Sequence, residues 1–211
     1  MPKNIAKIIQ GLEKEHGREK WNWHTQQSRF QILIGTVLSQ RTKDANTDRA
    51  AQQLFSRYKN ARELSNAPIK DIEKRIKPSG FYRVKARRIR EISKILMEKH
   101  KGKVPDDIED LVKIPGVGYK TAGCVIVYGF NCPEIPVDTH VAKIAQRLGL
   151  TRERNPDKIR LDLMKKIPKK RWIVINELFV KHGKAICLSR NPRCGICPIR
   201  NCCNYYKDIY L

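Results

Sequence analysis

Apolar residues recur along this chain at intervals of three and four, the spacing that places them on one face of a helix. No run alternates with the period of two that marks a half-buried strand. Ile5, Ile8, Ile9 and Leu12 predict a first helix. Phe30, Leu33, Ile34, Val37 and Leu38 predict a second, with Ser28 placed to cap it. Ala50, Leu54 and Phe55 mark a third, and Pro68 opens a short fourth that ends before Pro78-Ser79-Gly80. Ile89, Ile92 and Leu96 then give a long, basic helix. The segments Asp106 to Val112 and Tyr119 to Gly129 read as two helices separated only by Lys113-Ile114-Pro115-Gly116-Val117-Gly118, a helix-hairpin-helix. Asp138 to Leu148 repeats the helical pattern with Gly149 as a stop. Asn155-Pro156 starts another helix, and Trp172 to Gly183 forms the last long one before a cysteine-rich tail. The expectation is an all-α protein of two lobes joined by short connections, without internal repeats or low-complexity tracts.

The charged positions are lopsided. Lys and Arg number 44 against 21 Asp and Glu, a net charge of +23. Such a surplus attracts a polyanion, whereas a merely thermostable surface raises both signs together, so nucleic acid leads the classes of partner. The 211 residues, 40% hydrophobic, suffice for one sizeable core or two small domains. No apolar run approaches the roughly 18 residues of a membrane span, and Met1-Pro2-Lys3-Asn4 does not open a signal peptide. The expected location is therefore the cytoplasm, at the nucleoid if the source is prokaryotic, with no membrane partner. No coiled-coil heptad or leftover apolar face is visible, which makes a monomer the expected state.

The hairpin carries the first chemical signal. Gly116 and Gly118 stand where backbone comes close to something, and Pro115 stiffens the turn before them. The following helix start, with its free N–H groups and positive dipole end, suits a DNA phosphate; an ordinary tight helix–helix turn is the plain alternative. Lys120 lies in the first turn of that helix, where the dipole disfavours its charge. A lysine with more free amine can attack a sugar C1′ and form a Schiff base, although a phosphate contact is the commoner role. Asp138, in Ile135-Pro136-Val137-Asp138-Thr139-His140, is an acid opening a helix in a basic chain, and by itself reads as an N-cap.

Four of the seven cysteines, Cys187, Cys194, Cys197 and Cys203, follow the spacing C-x6-C-x2-C-x5-C. An odd cysteine total, with these four crowded into one short stretch, suits a metal site in a reducing compartment better than a disulfide framework. Four thiolates suit a [4Fe–4S] cluster, with zinc as the alternative. Cys202 is one residue out of step, and Cys124 and Cys132 read as core thiols. Arg190 and Arg193, on the turn between the first two ligands, read as phosphate contacts.

Taken together, the hairpin, Lys120, the Val-Asp-Thr-His run and the cysteine spacing closely resemble the endonuclease III branch of the helix-hairpin-helix DNA glycosylases. The resemblance runs from Phe30-Gln31-Ile32-Leu33 through Leu38-Ser39 and Lys43-Asp44 to the terminal cysteines. It implies a two-lobed fold with a DNA cleft between the lobes. One would be a six-helix domain over 24–133; the other an iron–sulfur domain of 1–23 and 134–211. It implies a bifunctional DNA glycosylase and abasic-site lyase acting on damaged pyrimidines in duplex DNA. Lys120 would be the nucleophile, Asp138 the activating carboxylate, and the four spaced cysteines the ligands of a [4Fe–4S] cluster. Phe81 falls where the family places an apolar wedge. The residue that fills the vacated stack stays open between Gln40 and Arg41, because the family has glutamine at the register that Arg41 takes here. The alternatives are a monofunctional thymine or adenine mismatch glycosylase, which would lack the lysine, a non-catalytic helix-hairpin-helix DNA-binding module, and an iron–sulfur electron carrier, which would need neither the hairpin nor the charge.

Overall fold

The computed structural model describes residues 4–17 and 25–210, and among these every regular element is helical. In chain order the helices are α1 (Ile5–His16), α2 (Arg29–Ser39), α3 (Asp44–Phe55), α4 (Ala61–Ser65), α5 (Ile69–Ile76) and α6 (Tyr82–His100). They continue as α7 (Ile108–Val112), α8 (Tyr119–Phe130), α9 (Thr139–Arg147), α10 (Pro156–Lys166), α11 (Trp172–Ala185) and α12 (Asn204–Tyr210). None of the described helices is long and apolar enough to cross a membrane. The chain divides into two compact units, 23–131 and 1–22 with 132–211. The expected boundary at 23/24 lies outside the described residues.

In the 23–131 unit, α2 starts where its sequence says it should. Ser28 and Gln31 form a reciprocal capping box, with Ser28 Oγ accepting from the Gln31 amide and Gln31 Oε1 from the Ser28 amide. Its apolar stripe packs against α8, which is buried from Thr121 to Tyr128 and is apolar nearly all round, as a central helix must be. Arg29 ties the two together, donating from Nε to the Gly129 carbonyl at 3.1 Å and lying over the Phe130 ring. Ile72, Ile76, Ile89, Ile92 and Leu96 complete the core from α5 and α6, each fully buried and each stabilising by about 1.5–3 kcal/mol. Helix α4 escapes a reading by periodicity because five residues make little more than a turn; its signal is Asn60, whose side chain caps Glu63. Phe55 is only half-buried, while Ala50 and Leu54 carry the α3 contact. Pro78 lies inside a 3₁₀ turn, Lys77–Ser79, that prolongs α5.

In the other unit, Ile5, Ile8, Ile9 and Leu12 of α1 join Val141, Ile144, Leu178 and Phe179 of α9 and α11 in one core. Asn155 caps α10 through the amides of Asp157 and Lys158. Cys132 departs from expectation. It is exposed, since it opens the extended 131–138 connector just before Pro133, whereas Cys124 is buried in α8 as a core thiol should be.

Candidate functional site

The turn between α7 and α8 is dictated by its residues. The Val117 amide donates to the Ile114 carbonyl at 3.0 Å, closing a four-residue turn with Pro115 second and Gly116 third, and Gly116 has φ of +84°. That is the type II pattern, in which proline presets the second position and only glycine adopts the third without strain. A Cβ at Gly116 would also run into the Arg88 side chain, while beside Gly118 there is open space. Gly118 then caps α8, placing Lys120 in the first turn with its side chain exposed.

Two further turns of the same unit carry the candidate DNA-penetrating residues. Arg41 follows α2 and Phe81 precedes α6; both are exposed, and both adopt left-handed backbone, with φ of +54° and +47°. Such a conformation costs a non-glycine residue about 1–2 kcal/mol. Their side chains meet, the Arg41 guanidinium lying 5.1 Å from the centre of the Phe81 ring. Gln40 is differently engaged. Its carbonyl oxygen accepts from Arg88 Nη1 at 3.0 Å and its Nε2 donates to Thr121 Oγ1 at 3.2 Å, so its amide is spent within the protein.

Asp138 belongs to the other unit, at the start of α9. Its Oδ1 accepts from the amides of His140 and Val141 at 2.9 and 2.8 Å, which makes it a true N-cap and leaves Oδ2 outside the cap. Two contacts hold the connector that delivers it. Glu134, buried, takes a bidentate ion pair from Arg160 at 2.6 and 2.7 Å, and Asn176 Nδ2 donates to the Pro136 carbonyl at 2.6 Å. None of these three residues carries a sequence motif.

Cys187, Cys194, Cys197 and Cys203 line one cavity of about 390 Å³, part of it open to solvent, together with Arg147 and His182. Cys202 does not line it. Burial pushes the Cys197 thiol up to about 11, with its neighbouring sulfurs adding to the effect, and raises Cys194 and Cys203 as well. Four thiols turned into one cavity, ionisation of three of them disfavoured by burial, are a donor set to which a bound metal centre would add positive charge beside that of Arg147. No three of the described His, Cys, Asp or Glu side chains are set to hold a single metal ion. Sequence reasoning missed Arg147. Its Nη1 donates to Cys187 Sγ at 3.1 Å and to the Leu188 carbonyl at 2.8 Å, and Nη2 reaches Ser189 O at 3.3 Å. One guanidinium thereby joins a cysteine sulfur to the loop that presents the exposed Arg190 and Arg193. His182, buried, stands with Nε2 3.5 Å from Cys197 Sγ and Nδ1 3.0 Å from His16 Nε2. The structure thus gathers the hairpin, Lys120, Gln40, Arg41 and Phe81 in one unit, and Asp138, the cysteines and the two loop arginines in the other.

Comparison with known proteins gives a consistent result. Residues 34–169 match the family model described as HhH-GPD superfamily base excision DNA repair protein. The endonuclease III of Thermotoga maritima is 46% identical over 200 residues, covering 95% of this chain and 94% of that protein. The endonuclease III of Bacillus subtilis is 37% identical over 175 residues, covering 82% and 80%. Among solved structures, a trapped endonuclease III–DNA covalent intermediate in an estranged-adenine complex matches with a TM-score of 0.87 at 32% identity, over 97% of this chain and 96% of that one.

Proposed function

Since this chain belongs to the HhH-GPD superfamily of base excision DNA repair proteins, and within it to the endonuclease III family, we propose the residues by which it removes a damaged base and cleaves the strand. It is an endonuclease III-type DNA glycosylase with abasic-site lyase activity. The observation that carries the residue assignment is the exposed Lys120 in the first turn after a Pro-Gly-Val-Gly hairpin, in a chain that also offers a capped carboxylate with one oxygen to spare.

In the reaction we assign, the Lys120 amine attacks C1′ of the damaged nucleotide while the base departs with the electrons of the glycosidic bond. The attacking nitrogen must be neutral, and the Asp138 carboxylate accepts its proton and stabilises the positive charge that develops on the sugar. The C1′–O4′ bond of the adduct then breaks, O4′ taking the proton that Asp138 had accepted, to give a protonated imine; this acidifies C2′, loss of a proton there expels the 3′ phosphate by β-elimination, and water then releases Lys120. Gly116 and Gly118 hold phosphate through backbone N–H groups, while Arg190 and Arg193 hold it by charge, positioning the duplex without reading its sequence. The target base is out of reach in a stacked duplex and must be extruded. Phe81 and Arg41 enter the gap, Arg41 being favoured over Gln40 because the Gln40 amide is already bonded to Arg88 and Thr121. Cys187, Cys194, Cys197 and Cys203 would hold a [4Fe–4S] cluster, whose contribution is to fix the fold of the 188–193 loop. Oxidised pyrimidines are the proposed substrates, and the enzyme acts as a monomer. A nicking assay on a duplex with thymine glycol, beside one with a preformed abasic site, tests this reading. Cleavage of both supports it; cleavage of the abasic duplex alone moves the substrate to another lesion.

A further inference from the structure

Lys85 is the one lysine of α6 whose side chain goes inward, with 3% of its surface exposed. Among the described residues its ammonium meets no carboxylate. Instead Nζ donates to the Leu38 carbonyl at 2.6 Å, to Thr42 Oγ1 at 2.6 Å and to the Ser79 carbonyl at 2.9 Å, using all three of its N–H bonds. Thr42 adds a strand to the same knot, donating from Oγ1 to Ser79 O at 2.5 Å. Burying a charge without a counter-ion is costly, and the ordinary lysine here is displaced to a pKa of about 8 by burial and by Arg88.

What the three acceptors share is position. Leu38 lies in the last turn of α2 and Thr42 follows Arg41, so these two bracket the first turn, while Ser79 stands two residues before Phe81 in the second. Each turn has its own local hydrogen bonds, Thr42 N–H donating to Ser39 O at 3.1 Å in the first and Gly80 N–H to Lys77 O at 3.3 Å in the second, but none of these joins one turn to the other, and at their tips Arg41 and Phe81 hold left-handed backbone and stack on each other in solvent. An exposed pair of strained residues keeps its geometry only if the backbone beneath it is overdetermined. We propose that Lys85 is the positioning residue that locks the Arg41 turn and the Phe81 turn into one preformed wedge, so that the two side chains enter a duplex together. This rests on the reading that Arg41 and Phe81 meet DNA, but Lys85 itself touches neither DNA nor the reacting atoms.

The test uses the full-length protein and a duplex in which 2-aminopurine faces a tetrahydrofuran abasic analogue, with an undamaged duplex as reference. Lys85→Met is expected to bind the undamaged duplex like the parent protein. Its preference for the abasic-analogue duplex is expected to fall roughly tenfold, toward that of an Arg41→Ala/Phe81→Ala double variant, with loss of the 2-aminopurine fluorescence change. Adding Lys85→Met to that double variant is expected to change neither readout further. Thr42→Val, a smaller change that removes one Lys85 acceptor and the bond to Ser79, is expected to move both readouts in the same direction, and decides the matter if Lys85→Met does not fold. If Lys85→Met and Thr42→Val keep preference and fluorescence while the double variant loses them, Arg41 and Phe81 form the wedge without Lys85 and the proposal fails. If the double variant also keeps them, the wedge reading itself is wrong.

Discussion

The side-chain amide of Asn176 donates a 2.6 Å hydrogen bond to the backbone carbonyl of Pro136, two residues before Asp138. Both groups are buried, so removing the donor leaves an acceptor without water or partner. Asn176→Leu is expected to cost about 1–3 kcal/mol in urea unfolding. It is also expected to slow single-turnover base excision roughly tenfold, since the carboxylate is delivered by that connector. An unchanged excision rate would mean that the Glu134–Arg160 pair holds the connector by itself.

The cap that Asp138 makes and the catalytic role proposed for its carboxylate are separable because asparagine caps a helix as well as aspartate does. Asp138→Asn is expected to unfold within about 0.5 kcal/mol of the parent protein, and Asp138→Ala to lose about 1 kcal/mol. Both are expected to lose base excision by at least roughly a hundredfold. If Asp138→Asn excises at the parent rate, the residue is a cap and nothing more.

Arg147 couples a cysteine sulfur to the arginine-bearing loop, so its loss reaches two properties at once. In Arg147→Leu the visible absorbance of the proposed [4Fe–4S] cluster is expected to bleach roughly tenfold faster under chelator. Affinity for duplex DNA is expected to fall with it, as Arg190 and Arg193 lose their fixed presentation. A parent-like bleaching rate would place Arg147 outside the support of the cluster.

Lys85 makes stability depend on pH in a stated direction. Its folded pKa of about 8 lies below the ordinary lysine value of 10.5, so between these the unfolded chain binds the extra proton. Stability therefore rises with pH across that window, and the contribution, up to about 3 kcal/mol, is lost again as pH falls toward 8. Unfolding by urea at pH 7.5 and pH 10 is expected to show parent protein gaining on Lys85→Met at the higher pH; parallel profiles would contradict the shift.

Much of the fold is legible in local sequence, where the signal and the structure share a length scale. The Ser28 box and the apolar stripe of α2 lie within three turns of helix, and the hairpin announces itself through Pro115 and Gly116, whose backbone demands admit few alternatives. Helices α4 and α12 are too short to display a period, and Cys132 is exposed because of the connector it begins, which composition does not reveal. The supporting contacts were illegible for a different reason. Lys85 bonds to backbone carbonyls and a hydroxyl, Asn176 to a carbonyl 40 residues away, and Arg147 to a sulfur and a loop. Partners of this kind leave no pattern of residue types. Gln40 and Arg41 were indistinguishable in the sequence, and only the bonds that Gln40 makes to Arg88 and Thr121 favour Arg41 for the gap.

The central claim is that Lys120 forms a covalent imine with DNA, and borohydride trapping on duplexes with thymine glycol and with an abasic site tests it most directly. A stable protein–DNA adduct is predicted on both, absent from Lys120→Gln although that variant still binds the abasic duplex. An adduct that survives Lys120→Gln, or none from the parent protein on either duplex, would contradict the account.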